Sequence, residues 1–93
     1  MREEKKLDEK IAARILARGG MYLKMDAAYF AGLPDRLVIL PRGKMFFVEL
    51  KSPDGVVSEL QKRVHAQLRN IGARVYVVKN ISDIEFILDY IEV

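Results

Sequence analysis

The sequence predicts a single α/β domain whose elements run helix, three strands, helix, strand, helix. Three observations carry this. Apolar residues recur at helical spacing at both ends and in the middle of the chain, β-branched and aromatic runs lie between them, and no linker, repeat or low-complexity tract divides the 93 residues. With 51% hydrophobic residues the chain can bury one small core and no second one, which sets the expected domain at residues 1–93.

The first helix is read over residues 3–18, where Leu7, Ile11, Ala12, Ile15 and Leu16 share a face, and Gly19-Gly20 ends it. Residues 21–25 alternate weakly and have the character of a short edge strand. Residues 26–33 have no period and lead, past Tyr29 and Phe30, into Pro34-Asp35. Leu37-Val38-Ile39-Leu40 is continuously apolar, the pattern of a strand covered on both faces. Pro41 stops it, Arg42-Gly43 turns the chain, and residues 45–51 return as the second strand of a hairpin. After the turn at Pro53-Asp54-Gly55, Ser58 opens a helix with Leu60, Val64, Leu68 and Ile71 as its expected buried stripe, closed by Gly72. Residues 74–78 read as a buried strand and 82–90 as a last helix with Ile84, Ile87, Leu88 and Ile91 inward, Ser82 and Glu85 forming its capping box.

Composition removes several chemistries. The chain has no cysteine, which excludes disulfides, thiolate-bound zinc and a cysteine nucleophile and fits a reducing compartment. No apolar run approaches the ~20 residues of a membrane span, and the first six residues are charged rather than signal-like, so a cytoplasmic protein without membrane contact is expected. A net charge of +3 is modest, yet acids committed to a metal would leave the remaining surface more positive.

The chemistry concentrates where Pro34-Asp35 is followed, thirteen residues later, by Glu49-Leu50-Lys51. Alternation along the strand turns Phe47, Glu49 and Lys51 one way and Phe46, Val48 and Leu50 the other. A hairpin about Arg42-Gly43 sets Asp35 and Glu49 on adjacent strands, about 5 Å apart. Two carboxylates that close repel unless a cation lies between them, and magnesium accepts one or two carboxylates with waters and phosphate oxygens completing its octahedron. Lys51 beside them can orient an attacking water or neutralise charge growing on phosphorus. Taken singly, Asp35 is a turn residue and Glu49 and Lys51 an exposed pair; the strand context favours the metal site.

Gly32-Leu33-Pro34-Asp35-Arg36, Phe47-Val48-Glu49-Leu50-Lys51 and Ser58-Glu59-Leu60-Gln61 resemble the PD-(D/E)XK nuclease superfamily and, within it, the VRR-NUC (virus-type replication-repair nuclease) domain, over nearly the whole chain. The resemblance implies a restriction-endonuclease-like mixed sheet of four strands flanked by helices. It also implies dependence on Mg2+ or Mn2+, and structure-selective cleavage of branched DNA, such as four-way (Holliday) junctions, by a stand-alone phage or bacterial member. On this resemblance Asp35, Glu49 and the Leu50 carbonyl become metal ligands, Lys51 the catalytic lysine and Gln61 the family glutamine. Gln61 has a second reading that stays open, the capping box Ser58-x-x-Gln61.

The family also has an acid on the first helix. Glu4, Asp8 and Glu9 qualify by type; alignment on Arg18-Gly19-Gly20 favours Asp8 as the further metal ligand, while alignment on the apolar positions allows Glu4. His65 shares the helix face of Gln61, and a lone histidine beside an available lysine reads as a packed or surface residue. Arg36 and Lys62 adjoin motif residues and are the expected DNA contacts, whereas Tyr29 and Phe30 suit either an unpaired base or a partner subunit. Small size and exposed apolar residues favour a homodimer. A nucleic-acid-binding or assembly module that retains the fold without turnover is the alternative function, and intact Asp35, Glu49 and Lys51 argue against it. A restriction enzyme reading specific bases is disfavoured, since so short a chain has little left for base readout.

Overall fold

A computed structural model describes residues 2–92, with the side chains of Arg2 and Glu3 left aside. The outermost residues of the expected domain, Met1 and Val93, lie outside the described residues. The elements are α1 (Arg2–Ala17), β1 (Met21–Lys24), β2 (Arg36–Leu40), β3 (Lys44–Leu50), α2 (Glu59–Asn70), β4 (Val75–Val78) and α3 (Ile81–Glu92). The sheet is mixed. Its order is β1-β2-β3-β4, with antiparallel pairing across the first three strands and β4 parallel to β3 through the crossover helix α2.

The two faces of this sheet are unequal. Val38, Leu40, Phe46, Val48, Leu50 and Val78 point to the face covered by α1 and α3, where they pack with Leu7, Ile11, Ile15, Ile84, Ile87, Leu88 and Ile91. Phe46 meets Tyr76 edge to face at 5.7 Å there. At roughly 1.5–3 kcal/mol for each fully buried large apolar side chain, this single layer carries most of the burial energy. Leu16, expected inward, is 66% exposed because it falls off the stripe of Leu7, Ile11 and Ile15.

The opposite face is covered by α2 alone, near β3 and β4. Leu37 and Ile39 are therefore only half-buried, not sandwiched as their apolar run suggested. Along one line across the strands, register sets Met21 beside Ile39 and Ile39 beside Met45, and the two methionines are exposed.

Two helix readings are corrected. The inward stripe of α2 comprises Gln61, Val64, His65 and Leu68 rather than Leu60, Val64, Leu68 and Ile71; Leu60 is largely exposed and Ile71, just past the helix end, is 83% exposed. The helix is turned so that two polar side chains reach the interior. α3 starts earlier than Ser82, and its cap is Asn80, whose Oδ1 accepts from the Asp83 amide at 2.9 Å while Asp83 Oδ2 accepts from the Lys79 amide at 2.9 Å. Asn80 and Ser82 both suit a cap, but only Asn80 lies just ahead of the first helical turn.

The loop before Asp35 is held by close packing. Gly32 has φ +92°, and a Cβ built on it would stand 2.6 Å from Val64 Cγ2 and 3.2 Å from Leu60. The loop thus rests directly on α2. Gly32→Ala is expected to destabilise the fold by about 1–3 kcal/mol through backbone strain and the Val64 clash, read as a lower urea midpoint; a midpoint equal to that of the unmodified protein would show the loop free of α2.

Candidate active site at the end of the hairpin

The hairpin register decides the site. Arg36 pairs with Val48, and one further step along the antiparallel ladder sets Asp35 against Glu49. β2 ends there, and the Asp35 side chain takes over from its backbone: Asp35 Oδ2 accepts from the Leu50 amide at 2.8 Å, while the Asp35 carbonyl accepts from the Met25 amide at 2.9 Å. Asp35 is thereby fixed to both neighbouring strands. Pro34 before it is fully buried.

Glu49 is 1% exposed, on the face turned to α2. Its Oε2 accepts from Gln61 Nε2 at 3.0 Å and lies 3.6 Å from Lys51 Nζ. Its Oε1 lies 3.4 Å from His65 Nε2, yet both atoms are buried without a hydrogen-bond partner. Burial, then the charge of nearby Asp35, pushes the Glu49 carboxyl up to about 7, with Lys51 pulling the other way. His65 is pushed below its ordinary value, mainly by burial and then by the Arg69 charge. The imidazole is therefore neutral near pH 7, and its contact with Glu49 is no ion pair.

Gln61 is the N3 residue of the α2 capping box. Its Oε1 accepts from the Ser58 amide at 2.9 Å and its own amide donates to Ser58 Oγ at 3.1 Å, closing the capping box. The free NH2 end then points to Glu49.

The helix-one acids separate. Asp8 takes a forked pair from Arg36, Nη2 to Oδ2 at 2.7 Å and Nε to Oδ1 at 3.1 Å, and Oδ1 also accepts from the Tyr22 hydroxyl at 2.7 Å. Both Asp8 oxygens and the Arg36 guanidinium are thus engaged with one another and with Tyr22. Burial and Asp8 also hold the Tyr22 phenol well above its ordinary value, so it stays protonated. Glu4, one turn earlier, reaches the other way, its Oε1 accepting from the Ser52 amide at 3.2 Å beside Lys51. Glu9 is exposed. Lys62 is exposed as well, its Nζ 3.1 Å from Glu59 Oε2 on the same helix.

The VRR-NUC domain model matches residues 3–80 of this chain. The chain belongs to the VRR-NUC family. A phage protein named "Putative nuclease p44", from Acyrthosiphon pisum secondary endosymbiont phage 1, is 35% identical over 85 residues, 91% of this chain and 90% of that one. A solved VRR-NUC domain superposes with a TM-score of 0.86 at 33% identity, covering 94% of this chain and 95% of that one. Together these make the chain a nuclease domain, its broad chemistry the hydrolysis of nucleic-acid phosphodiesters.

The donor set of this VRR-NUC domain suits a hard divalent cation. Two carboxylates converge, and one of them carries a buried oxygen with no partner and a proton affinity raised by burial and then by its neighbour's charge. Among the described residues no three His, Cys, Asp or Glu side chains gather into a protein-only cage. Magnesium, which keeps several waters on one or two carboxylates, fits such an open arrangement better than a cation needing many protein ligands. Sequence reasoning missed the contact of His65 with Glu49, although its position four residues after Gln61 put it on the same helix face.

Glu49 also sets a test of the electrostatics. A carboxyl raised from 4.5 to about 7 in the fold contributes stability that is present at low pH and lost as pH rises through that window. His65 has the opposite sign, losing stability as pH falls below its unfolded value of 6.5. In metal-free buffer, Glu49→Gln is expected to be more stable than the unmodified chain by a margin that grows between pH 4.5 and about 7, reaching on the order of 1–3 kcal/mol. Urea titrations across that range check it, and a margin independent of pH would mean that Glu49 is not buried as a charge.

Proposed function

We propose that this VRR-NUC domain is a Mg2+- or Mn2+-dependent DNA endonuclease that acts as a homodimer on branched DNA such as four-way junctions. The observation that carries the reading is the meeting of Asp35, buried Glu49 and Lys51 at the open end of the β2–β3 hairpin. Asp35, Glu49 and the Leu50 carbonyl are the proposed metal ligands, with Glu4 in place of Asp8 as the contributing acid of α1. Bound there, a divalent cation would supply Lewis acidity for the phosphoryl oxygens and make water a better nucleophile.

The chain's own groups do the rest. Lys51 orients the attacking water or offsets the charge that builds on the phosphoryl group. Gln61 holds one Glu49 oxygen, leaving the other for a ligand. Asp35 is locked by the Leu50 amide, so the two carboxylates keep their spacing without substrate.

A single site makes a single cut, so paired cuts in a branched junction call for two copies related by a two-fold axis. The half-covered sheet face supports a homodimer. Met21, Ile39 and Met45 form a continuous apolar line there, and a cavity of about 450 Å³ between Met45, Phe47 and Ile71 lies on the same face. Sedimentation of the unmodified chain is expected to give a dimer that Met45→Glu shifts toward monomer. A monomer at the concentrations where junctions are cut would remove the dimer from the proposal.

The catalytic reading predicts cleavage of four-way junctions in magnesium and none in calcium. Lys51→Ala is expected to lower the rate by about 10²–10⁴-fold. An unchanged rate in that variant would discard the mechanism, and DNA affinity without magnesium or manganese binding in calorimetry would favour the non-catalytic module instead.

A further inference from the structure

Two clefts flank the carboxylates, and they differ in charge. The cleft on the Asp35 side, about 540 Å³, is lined by Lys24 and Arg36 against Asp26 and Asp35, and the Arg36 charge is already matched by Asp8. The cleft on the Lys51 side, about 350 Å³, lies between α1, the turn after β3 and the start of α3; Lys6, Lys10, Lys51 and Lys79 line it against Glu4 alone. Lys6 and Lys10 are one helical turn apart, and Lys79 precedes the α3 cap on the opposite wall. Among the described residues Lys6, Lys10 and Lys79 make no ion pair.

We propose that the lysine-lined cleft is the entry path of the cut strand, with Lys10 and Lys79 holding backbone phosphates on either side of it as the strand runs onto Lys51. The ligand class is a nucleic-acid phosphodiester backbone, and the proposal rests on the nuclease reading for the identity of that polymer. Surface lysines are individually weak. These differ from scattered charges because they face one another across a concave wall that already contains the active-site lysine, where low-dielectric surroundings concentrate their field. The neutral cleft on the other side has no such field, so the strand is drawn in from one side of the carboxylates only.

The measurement is the salt dependence of binding to a labelled four-way junction in calcium, followed by anisotropy. Each lost phosphate contact lowers the slope of log affinity against log salt by about 0.9. Lys10→Glu with Lys79→Glu is expected to weaken binding at least tenfold and to lower the slope by about two, while Lys24→Glu in the other cleft leaves it unchanged. The milder Lys10→Gln with Lys79→Gln, with a melting curve equal to that of the unmodified chain, guards against misfolding and is expected to lower the slope by the same amount. Inorganic phosphate is expected not to displace the junction at equal phosphate concentration, which separates a polymer path from an isolated anion site. A slope unchanged in both double variants, an equal loss in Lys24→Glu, or displacement by phosphate alone would overturn the proposal. If the unmodified chain binds junctions but cuts none in magnesium, the nuclease reading falls and the cleft is still judged by the slope; if it binds no DNA, both fall.

Discussion

Glu49 is a carboxylate placed where water cannot reach it, and most of the local architecture answers that fact. Burying an ionised carboxylate without partners is costly, so its environment must either neutralise it or surround it with donors and cations. This chain does some of each. Gln61 donates to one oxygen, Lys51 stands near the same oxygen, and the remaining cost surfaces as a carboxyl that keeps its proton up to about pH 7. The second oxygen, 3.4 Å from the neutral His65 and without a hydrogen-bond partner, is the part of the arrangement that the protein leaves unfinished.

The two faces of the sheet differ in the same sense. One face, mostly aliphatic with Phe46 at its centre, packs densely against α1 and α3, and its polar groups, Tyr22 and Arg36 with Asp8, are paired at the edge. The other face carries Glu49, Gln61 and His65 beneath a single helix, and Met21 and Met45 on it stay exposed. Stability and chemistry are divided between the two sides of one sheet. The hairpin serves both, since alternate residues of β3 point to the core and to the site.

Much of this was legible in the sequence, and the failures have physical causes. Strand alternation gave the pairing of Phe47, Glu49 and Lys51 on one face, and the turn at Arg42-Gly43 fixed the register that brings Asp35 to Glu49; Arg42 adopts φ 70° to make it. The α2 stripe was misread because hydrophobicity was the guide, whereas this helix turns a glutamine and a histidine inward to serve a buried acid. Asp8 and Glu4 lie on the same side of α1, and alignment on the helix end favours the first while alignment on the apolar positions allows the second. What divides them is the guanidinium of Arg36 next to one and the Ser52 amide next to the other, and neither neighbour is visible without the fold. Leu37 and Ile39 show the converse error, since an apolar run tells that a surface avoids water, not which element covers it.

Gln61 ties two scales together. One end of its amide closes the first turn of α2 and the other donates to Glu49, so order in that turn is coupled to one hydrogen bond on the buried acid. Fraying at this helix start would release the glutamine from both tasks at once, leaving the buried acid without its neutral donor. Amide protection at the beginning of α2 would therefore report whether the buried acid keeps that donor.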